Sequence, residues 1–169
     1  MKPCKWIVPL LMVLLVSCGT KAHSSQAGRE MTVVALSSSL AELWLLSGGD
    51  VTATTDDAFQ EHPIEVGEDC INLGTVKDPS IEQILSLDPD LVLFSPLLGS
   101  HQGIKGQLES FQIPCKSFDL DTLEQYLEAL RWCSEITGNV HAYWTHGKET
   151  ATRAQSIISS FSPPQEERV

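Results

Sequence analysis

A few side chains in this sequence have the chemistry to hold a ligand. Asp56 and Asp57 are the sharpest pair, because adjacent carboxylates can bind a cation or the amino groups of a ligand. His62 and His101 have imidazole nitrogens that could ligate a metal ion. Neither has a second histidine at helical spacing, so ordinary surface histidines are the favoured interpretation and a metal site is the weaker alternative.

Enzyme chemistry has little support in the sequence. We find no nucleophile elbow, phosphate-binding loop, dinucleotide fingerprint or zinc-protease helix. His141 and His146 lie five positions apart, which does not match the i, i+4 spacing of a helical metal pair. We therefore expect a protein without catalytic activity and without a cofactor.

The stretch from Gly74 to Ser95 organises the elements that must position these residues. Its helix could begin with Asp78 as the cap and Pro79 in the first turn, or with Ser80 and Gln83 as a capping box. Pro89 forbids the helix from continuing. The next four residues, 91–94, are all apolar, which is typical of a strand covered on both faces.

Similar units surround this stretch. The remaining pattern predicts strands over 31–36, 51–55, 70–73 and 113–118, with helices over 40–46, 101–111, 121–136 and 140–161. Asp121 and Glu124 read as a capping box for the third of these helices. We expect an α/β fold in three layers, Rossmann-like, with a mostly parallel sheet of four to five strands and a long final helix.

Parallel sheets bind ligands in the crevice at the carboxyl ends of their strands. Each loop residue at such an end is more often simple turn chemistry than a ligand contact, but together they define the candidate site. The ligand-binding candidates are Ser37, Ser38, Asp56, Asp57, Phe59, Val76, Lys77, Ser95, Leu97, His101 and Asp119.

The amino terminus has the pattern of an export signal. Residues 1–17 combine two lysines with an apolar run that is too short to span a bilayer, which favours a signal peptide. Cys18 follows Leu-Val-Ser, an order that resembles the bacterial lipobox, so we expect a lipidated Cys18 and a flexible tether over 18–30. The alternative is an ordinary signal peptide with a cysteine near its cleavage site.

Charge and cysteine content restrict the partners. The formal net charge of −11 at pH 7 argues against nucleic-acid binding and is compatible with cationic ligands or basic partner surfaces. Cys70, Cys115 and Cys133 are an odd number with no zinc spacing, so we expect buried thiols without a complete disulfide framework.

The Gly74–Ser95 stretch also resembles a known family. Its order Gly-x-x-x-Asp-Pro-Ser-Ile-Glu-x-Ile-Leu-x-Leu-x-Pro-Asp-Leu-Val-Leu is similar to the substrate-binding lipoproteins of ABC importers for iron-siderophore, haem and cobalamin. The resemblance covers about residues 31–161. It implies a first, solute-binding lobe over 31–139, an interlobe backbone helix over 140–161 and a tail over 162–169, with the second lobe absent.

The resemblance also implies a function and partners. Glu82 matches the family position whose carboxylate docks onto the permease, although a first-turn glutamate also favours the helix dipole. We expect a lipid-anchored, solute-binding component on the outer face of the cell membrane, working with ABC permease subunits. The alternatives are an interaction lipoprotein that binds no solute, or one half of a split binding protein.

Overall fold

A computed structural model describes residues 31–60 and 64–161. In chain order the elements are β1 Val33–Ala35, α1 Ser38–Leu46, β2 Ala53–Thr54, a 3₁₀ turn Asp56–Ala58, β3 Ile71–Asn72, β4 Gly74–Thr75, β5 Asp78–Pro79, α2 Ile81–Ser86, β6 Leu91–Phe94, α3 Gly99–Ser110, β7 Cys115–Ser117, α4 Leu123–Ile136, α5 Val140–Ala142, a π-helical segment Tyr143–Gly147 and α6 Lys148–Phe161. The predicted signal peptide, lipidated Cys18, tether, His62 and tail lie outside the described residues.

The core is a five-stranded sheet with the order β3-β2-β1-β6-β7, and every neighbouring pair runs parallel. Strand β6 is buried along its whole length. One face of the sheet packs on α1 and α4, and the other packs on α2 and α3. The predicted three-layer α/β fold with a mostly parallel sheet is therefore confirmed.

Helix α2 uses the second of the two predicted starts. Ser80 is its cap and accepts a hydrogen bond from the Gln83 N–H at 3.4 Å. Asp78 is not the cap, because Asp78 and Pro79 form β5, which pairs antiparallel with β4. Gly74 has a φ of +90°, a conformation that glycine adopts without a Cβ penalty, at the entry to this β4–β5 hairpin.

The capping box of α4 begins one residue later than the sequence predicted. Thr122 accepts from the Gln125 N–H, and the Gln125 side chain accepts from the Thr122 N–H. Asp121 lies before the helix, with its N–H donated to the Asp119 carboxylate at 3.1 Å. This turn holds Asp121 outside the helix, so Thr122 and not Asp121 is the cap.

The final helix extends over 140–161 as predicted, but its packing differs between its two ends. Gly147, in the π-helical segment, is buried and so close to α4 that an added Cβ would lie 3.3 Å from the Leu127 Cδ2. Helix α6 has no buried residue, and the side chain of Phe161 at its end is 80% exposed. The predicted helix is thus present, but beyond Gly147 its residues are only half-buried or exposed.

In the described chain Cys70, Cys115 and Cys133 are free thiols, and of the three predicted buried thiols only Cys133 is fully buried. Cys133 is fully buried on α4, and burial raises the pKa of its thiol to about 12. Burial also raises the pKa of the half-buried Cys70 and Cys115. At neutral pH such cysteines are almost entirely in the protonated thiol form, which is a poor nucleophile.

Within the two described ranges, no helix combines the length and the apolar character that crossing a bilayer requires.

Candidate functional site

The candidate site lies at the edge of the sheet where all five parallel strands end. Strand order runs from β1 to β2 in one direction and from β6 to β7 in the other. Helix α1, after β1, packs on one face of the sheet, whereas α3, after β6, packs on the opposite face. The loops that follow β1 and β6 therefore flank a topological switch point, the usual position of a ligand crevice in this architecture.

On the β1 side, a buried carboxylate joins two loops. Asp57, 8% exposed, accepts the Ser38 N–H at 2.8 Å and the Thr55 hydroxyl at 2.6 Å. Ser37 caps α1 by accepting the Leu40 N–H at 3.4 Å. The loop after β1 and the 3₁₀ turn after β2 are thus fixed to each other by the side chain of Asp57.

The charge of Asp57 is stabilised in place. Burial by itself raises the pKa of this carboxyl, but hydrogen bonds from Thr55, Ser38 and Ala58 outweigh burial and leave the pKa below its ordinary value. Asp57 is therefore an ionised group that faces its own protein's donors. Of the predicted acidic pair, the half-buried Asp56 is the member left on the surface.

On the β6 side, an imidazole joins two other loops. His101 on α3 is 0% exposed. Its Nδ1 accepts the Ser95 N–H at 3.2 Å, and its Nε2 lies 3.0 Å from the Val76 carbonyl oxygen in the turn between β4 and β5. Both ring nitrogens are engaged, so His101 offers no nitrogen to iron or haem in this arrangement.

The exposed side chains at this edge belong to the same loops. Leu97 is 57% exposed after β6, and Lys77 is exposed in the β4–β5 turn. Phe59, Val76 and Asp119 are half-buried. The structure therefore separates the predicted residues into buried ones that join loops and surface ones that are free to meet a ligand. We call this edge, with its surface residues, the strand-end wall.

Sequence reasoning missed an aromatic cluster beside the wall. Lys116 places its ammonium 5.1 Å from the ring centre of Trp132 and 5.3 Å from that of Phe118, within the range of cation–π attraction. These residues line a depression of about 240 Å³ that also includes Asp119. Trp132 also packs against the core cluster on the α1 and α4 face, and the alternation of Lys116 on β7 with Phe118 just after it was the signal that could have found the aromatic cluster.

A larger depression, of about 690 Å³, lies elsewhere. It is lined by the end of α1, by Gly48–Asp50 and by His146 on the final helix. Because Gly48–Asp50 lead into β2, this depression lies at the amino-terminal edge of the sheet and is separate from the strand-end wall.

Metal binding has no cluster to support it in the described chain. Residues 31–60 and 64–161 contain no group of three or more His, Cys, Asp or Glu side chains arranged to hold an ion. His141 is exposed and His146 half-buried on the final helix.

Glu82 is exposed in the first turn of α2. The Ser80 N–H donates to the Leu73 carbonyl at 2.8 Å, so α2 starts directly beside the end of β3. Glu82 therefore projects from the same edge of the sheet as the strand-end wall. Glu82 and the candidate ligand-binding residues of the Gly74–Ser95 stretch therefore share one edge of the sheet.

Comparison with known proteins gives one family match and a set of similar folds. A sequence model described as "Periplasmic binding protein" matches residues 33–161. A comparison with curated proteins found no match.

Three solved structures illustrate the fold. The siderophore-binding protein BauB, bound to two acinetobactin molecules and ferric iron, is 17% identical with a TM-score of 0.67, and the match covers 79% of this chain and 49% of that one. An ABC transporter substrate-binding protein from Listeria monocytogenes is 14% identical with a TM-score of 0.68, over 81% and 52%. The periplasmic haem-binding protein HutB of Vibrio cholerae is 20% identical with a TM-score of 0.63, over 81% and 52%.

At these identities the likeness concerns the fold. The chain spans about half the length of each of these structures.

Proposed function

Because this chain belongs to the periplasmic binding protein family, we propose that it is a solute-binding component of an ABC importer, taking a ferric siderophore, haem or cobalamin type ligand. The family identified from the Gly74–Ser95 motif is confirmed. Membership implies an exported protein, and the family is one of solute-binding proteins and not an enzyme class. Ferric siderophore and haem are inferred from structural neighbours with those ligands, and cobalamin is inferred from the motif resemblance alone.

The observation that carries the proposal is the strand-end wall at the switch point. Five loops meet there, and two buried side chains fix four of them in pairs. Binding costs less free energy when the surface is already ordered, since no loop must be immobilised on contact. A preorganised wall of this kind fits the recognition of a rigid ligand.

The surface chemistry of the wall suits non-covalent capture of a ligand with an apolar body and charged edges. Leu97, Phe59 and Val76 supply apolar contact, while Lys77 and Asp56 supply one charge of each sign. Lys77 would pair with a ligand carboxylate, and Asp56 with an amine. Drug-sized ligands usually bury most of their surface, so we expect one wall alone to bind weakly and a facing surface to strengthen binding.

Delivery of the bound ligand would place the strand-end edge of the sheet against the permease. Glu82 lies exposed beside the wall, and we propose that its carboxylate docks onto basic residues of an ABC permease subunit. An exposed charge of this type contributes more to orientation and association rate than to affinity. Docking beside the ligand would bring the wall to the mouth of the permease.

We further propose that Cys18 carries a lipid anchor that keeps the protein on the outer face of the membrane. The support is the sequence Leu-Val-Ser-Cys after an apolar signal segment. Stable anchoring takes two membrane signals, such as two acyl chains, because one chain binds only marginally.

A second candidate function is an interaction lipoprotein that holds a protein partner. The observation that favours it is α6, which has no buried residue and exposes Ile157, Ile158 and Phe161. Apolar side chains grouped on an exposed surface mark interaction sites more often than solvated surface.

The test is a titration of the purified full-length protein with haem, ferrioxamine B and cyanocobalamin, in which calorimetry and tryptophan fluorescence measure binding. Two substitutions serve as a matched pair: Leu97→Glu on the wall, at a side chain 57% exposed, and Ile157→Glu on α6, at one 50% exposed. We expect at least one ligand to bind, with affinity lowered about tenfold or more by Leu97→Glu and unchanged by Ile157→Glu. No heat and no fluorescence change with all three ligands, for a protein with a native circular dichroism spectrum, would refute solute binding by this chain.

A further inference from the structure

We propose that His101 is a positioning residue: its neutral imidazole holds the loop after β6 and the turn between β4 and β5 at a fixed separation, and so sets the shape of the strand-end wall. The inference rests on the proposed function only where it calls this edge a ligand wall. The positioning itself is a property of the fold.

The two partners of the ring decide its tautomer. A backbone N–H can only donate, so the Ser95 N–H requires a lone pair on Nδ1. A backbone carbonyl can only accept, so the Val76 oxygen requires a proton on Nε2. The neutral Nε2–H tautomer satisfies both partners, and neither the other tautomer nor the imidazolium does.

The ring is also the connection between these two loops. Val76 is 25 positions before His101 in the chain, and Ser95 is six before it. Within residues 31–60 and 64–161, no other hydrogen bond joins the segment 74–79 to the segment 95–101. The side chain is fully buried, so water does not replace either bond while the wall is intact.

Protonation would undo this arrangement on one side. A proton added at Nδ1 takes the lone pair that accepts the Ser95 N–H, and two N–H groups would then face each other across 3.2 Å. Burial is the largest influence on the pKa of His101 and lowers it, whereas the hydrogen bond to the Val76 carbonyl and the charge of Asp57 on the 3₁₀ turn oppose burial without outweighing it. On α3 itself the ionisable side chain closest in sequence is Lys105, which pairs with Glu109 at 3.0 Å and is 37% exposed. The neutral form is therefore the one held at neutral pH.

The test uses the full-length, ¹⁵N-labelled protein and two substitutions that each keep one of the bonds. His101→Asn keeps an acceptor near the Nδ1 position, and His101→Gln keeps a donor near the Nε2 position. The matched control is His141→Gln, the same change at an exposed histidine of α5.

We expect amide exchange at Ser95 to accelerate about fivefold or more in His101→Gln, the factor equivalent to about 1 kcal/mol for one hydrogen bond. His101→Asn should leave Ser95 protected and shift the amide signals of residues 76 and 77 instead. His141→Gln should change neither. In the unsubstituted protein the imidazole nitrogen shifts should report the Nε2–H tautomer, and acidification should move the Ser95 amide signal together with the ring.

Three results would overturn the proposal: a proton on Nδ1 at neutral pH, unchanged Ser95 exchange in His101→Gln, or equal effects of both variants spread over the whole sheet. None of these measurements needs a solute. Failure of every ligand to bind would therefore refute the proposed function and leave the positioning role of His101 to be judged by exchange and tautomer alone.

Discussion

Replacing Asp57 by Ala tests whether the wall is held by a buried charge. The substitution removes acceptors for the Ser38 N–H at 2.8 Å and the Thr55 hydroxyl at 2.6 Å. Hydrogen bonds to a charged group contribute about 1.5–3 kcal/mol each, so simple addition gives a loss of about 3–6 kcal/mol. Burial of the carboxylate opposes part of this stabilisation, which places the expected loss near the lower end, about 3 kcal/mol.

Asp57→Asn separates the charge from the geometry. The amide keeps an oxygen for the Ser38 N–H and can donate to the Thr55 oxygen, so we expect a loss of only about 1–2 kcal/mol. Asp56→Ala is the control, because the neighbouring carboxylate is half-buried and makes no hydrogen bond within the described residues. A substitution of this kind usually changes stability by about 0.5 kcal/mol or less.

The measurement is urea unfolding of the full-length protein, followed by circular dichroism at pH 7 and at a series of lower pH values. Because the pKa of Asp57 is lower in the folded chain than in the unfolded chain, its stabilisation is fully present above the unfolded pKa of about 3.9. The stabilisation is lost as pH falls through the folded pKa. The gap between the unsubstituted protein and Asp57→Asn should therefore narrow in acid. Equal losses in Asp57→Ala and Asp56→Ala, or a gap that does not change with pH, would refute the reasoning.

Three further outcomes follow from the same structure. Glu82→Ala should weaken association with the cognate permease about fivefold without changing stability. Glu124→Ala, at the equivalent first-turn position of α4, should leave that association unchanged. Equal binding by both variants would exclude Glu82 from the interface. Cys18→Ser should move the protein out of the membrane fraction with loss of the acyl mass, and a variant that still fractionates as an acylated protein would refute the anchor. Cys133 is fully buried and the pKa of its thiol is raised to about 12, so it should react with iodoacetamide at least about tenfold more slowly than the half-buried Cys115. Peptide mass mapping measures both rates, and equal rates would contradict the packing of α4.

The sequence predicted the elements whose signal is local. Leu91–Phe94 is an uninterrupted apolar run, and the structure has β6 at those four residues. The final helix was predicted over 140–161 from its apolar spacing, and the helical segments have those limits. Both signals reside in neighbouring residues, which is where periodicity carries information.

Helix starts were harder to predict, because several residues compete for one cap. Asp78 and Ser80 are both good caps, and the choice depends on whether 78–79 pair with 74–75 in a hairpin. Asp121 and Thr122 present the same ambiguity, which is settled by the Asp119 carboxylate accepting the Asp121 N–H. Such errors are of one or two residues and leave the fold unchanged.

The roles of Asp57 and His101 were beyond the sequence for a different reason. Asp57 bonds a residue 19 positions away, and His101 bonds one 25 positions away. No local pattern marks a polar side chain that will be buried by the meeting of two loops. Their places in loops at the carboxyl ends of parallel strands made both residues candidate ligand contacts, because such loops usually line the crevice.

The buried and the exposed residues of the strand-end wall should respond differently to substitution. Asp57 and His101 are buried and satisfied, so their substitution should alter the positions of loops and, with them, every contact on the wall. Leu97 and Lys77 are exposed and hold no loop in place, so their substitution should alter the preference among ligands and leave the loops where they are. A ligand series measured on both kinds of variant would separate the two effects: a uniform loss across ligands indicates a displaced wall, and a loss that depends on the ligand indicates a removed contact. The specificity of this chain should therefore reside in residues that the fold does not need, at positions that the fold has fixed.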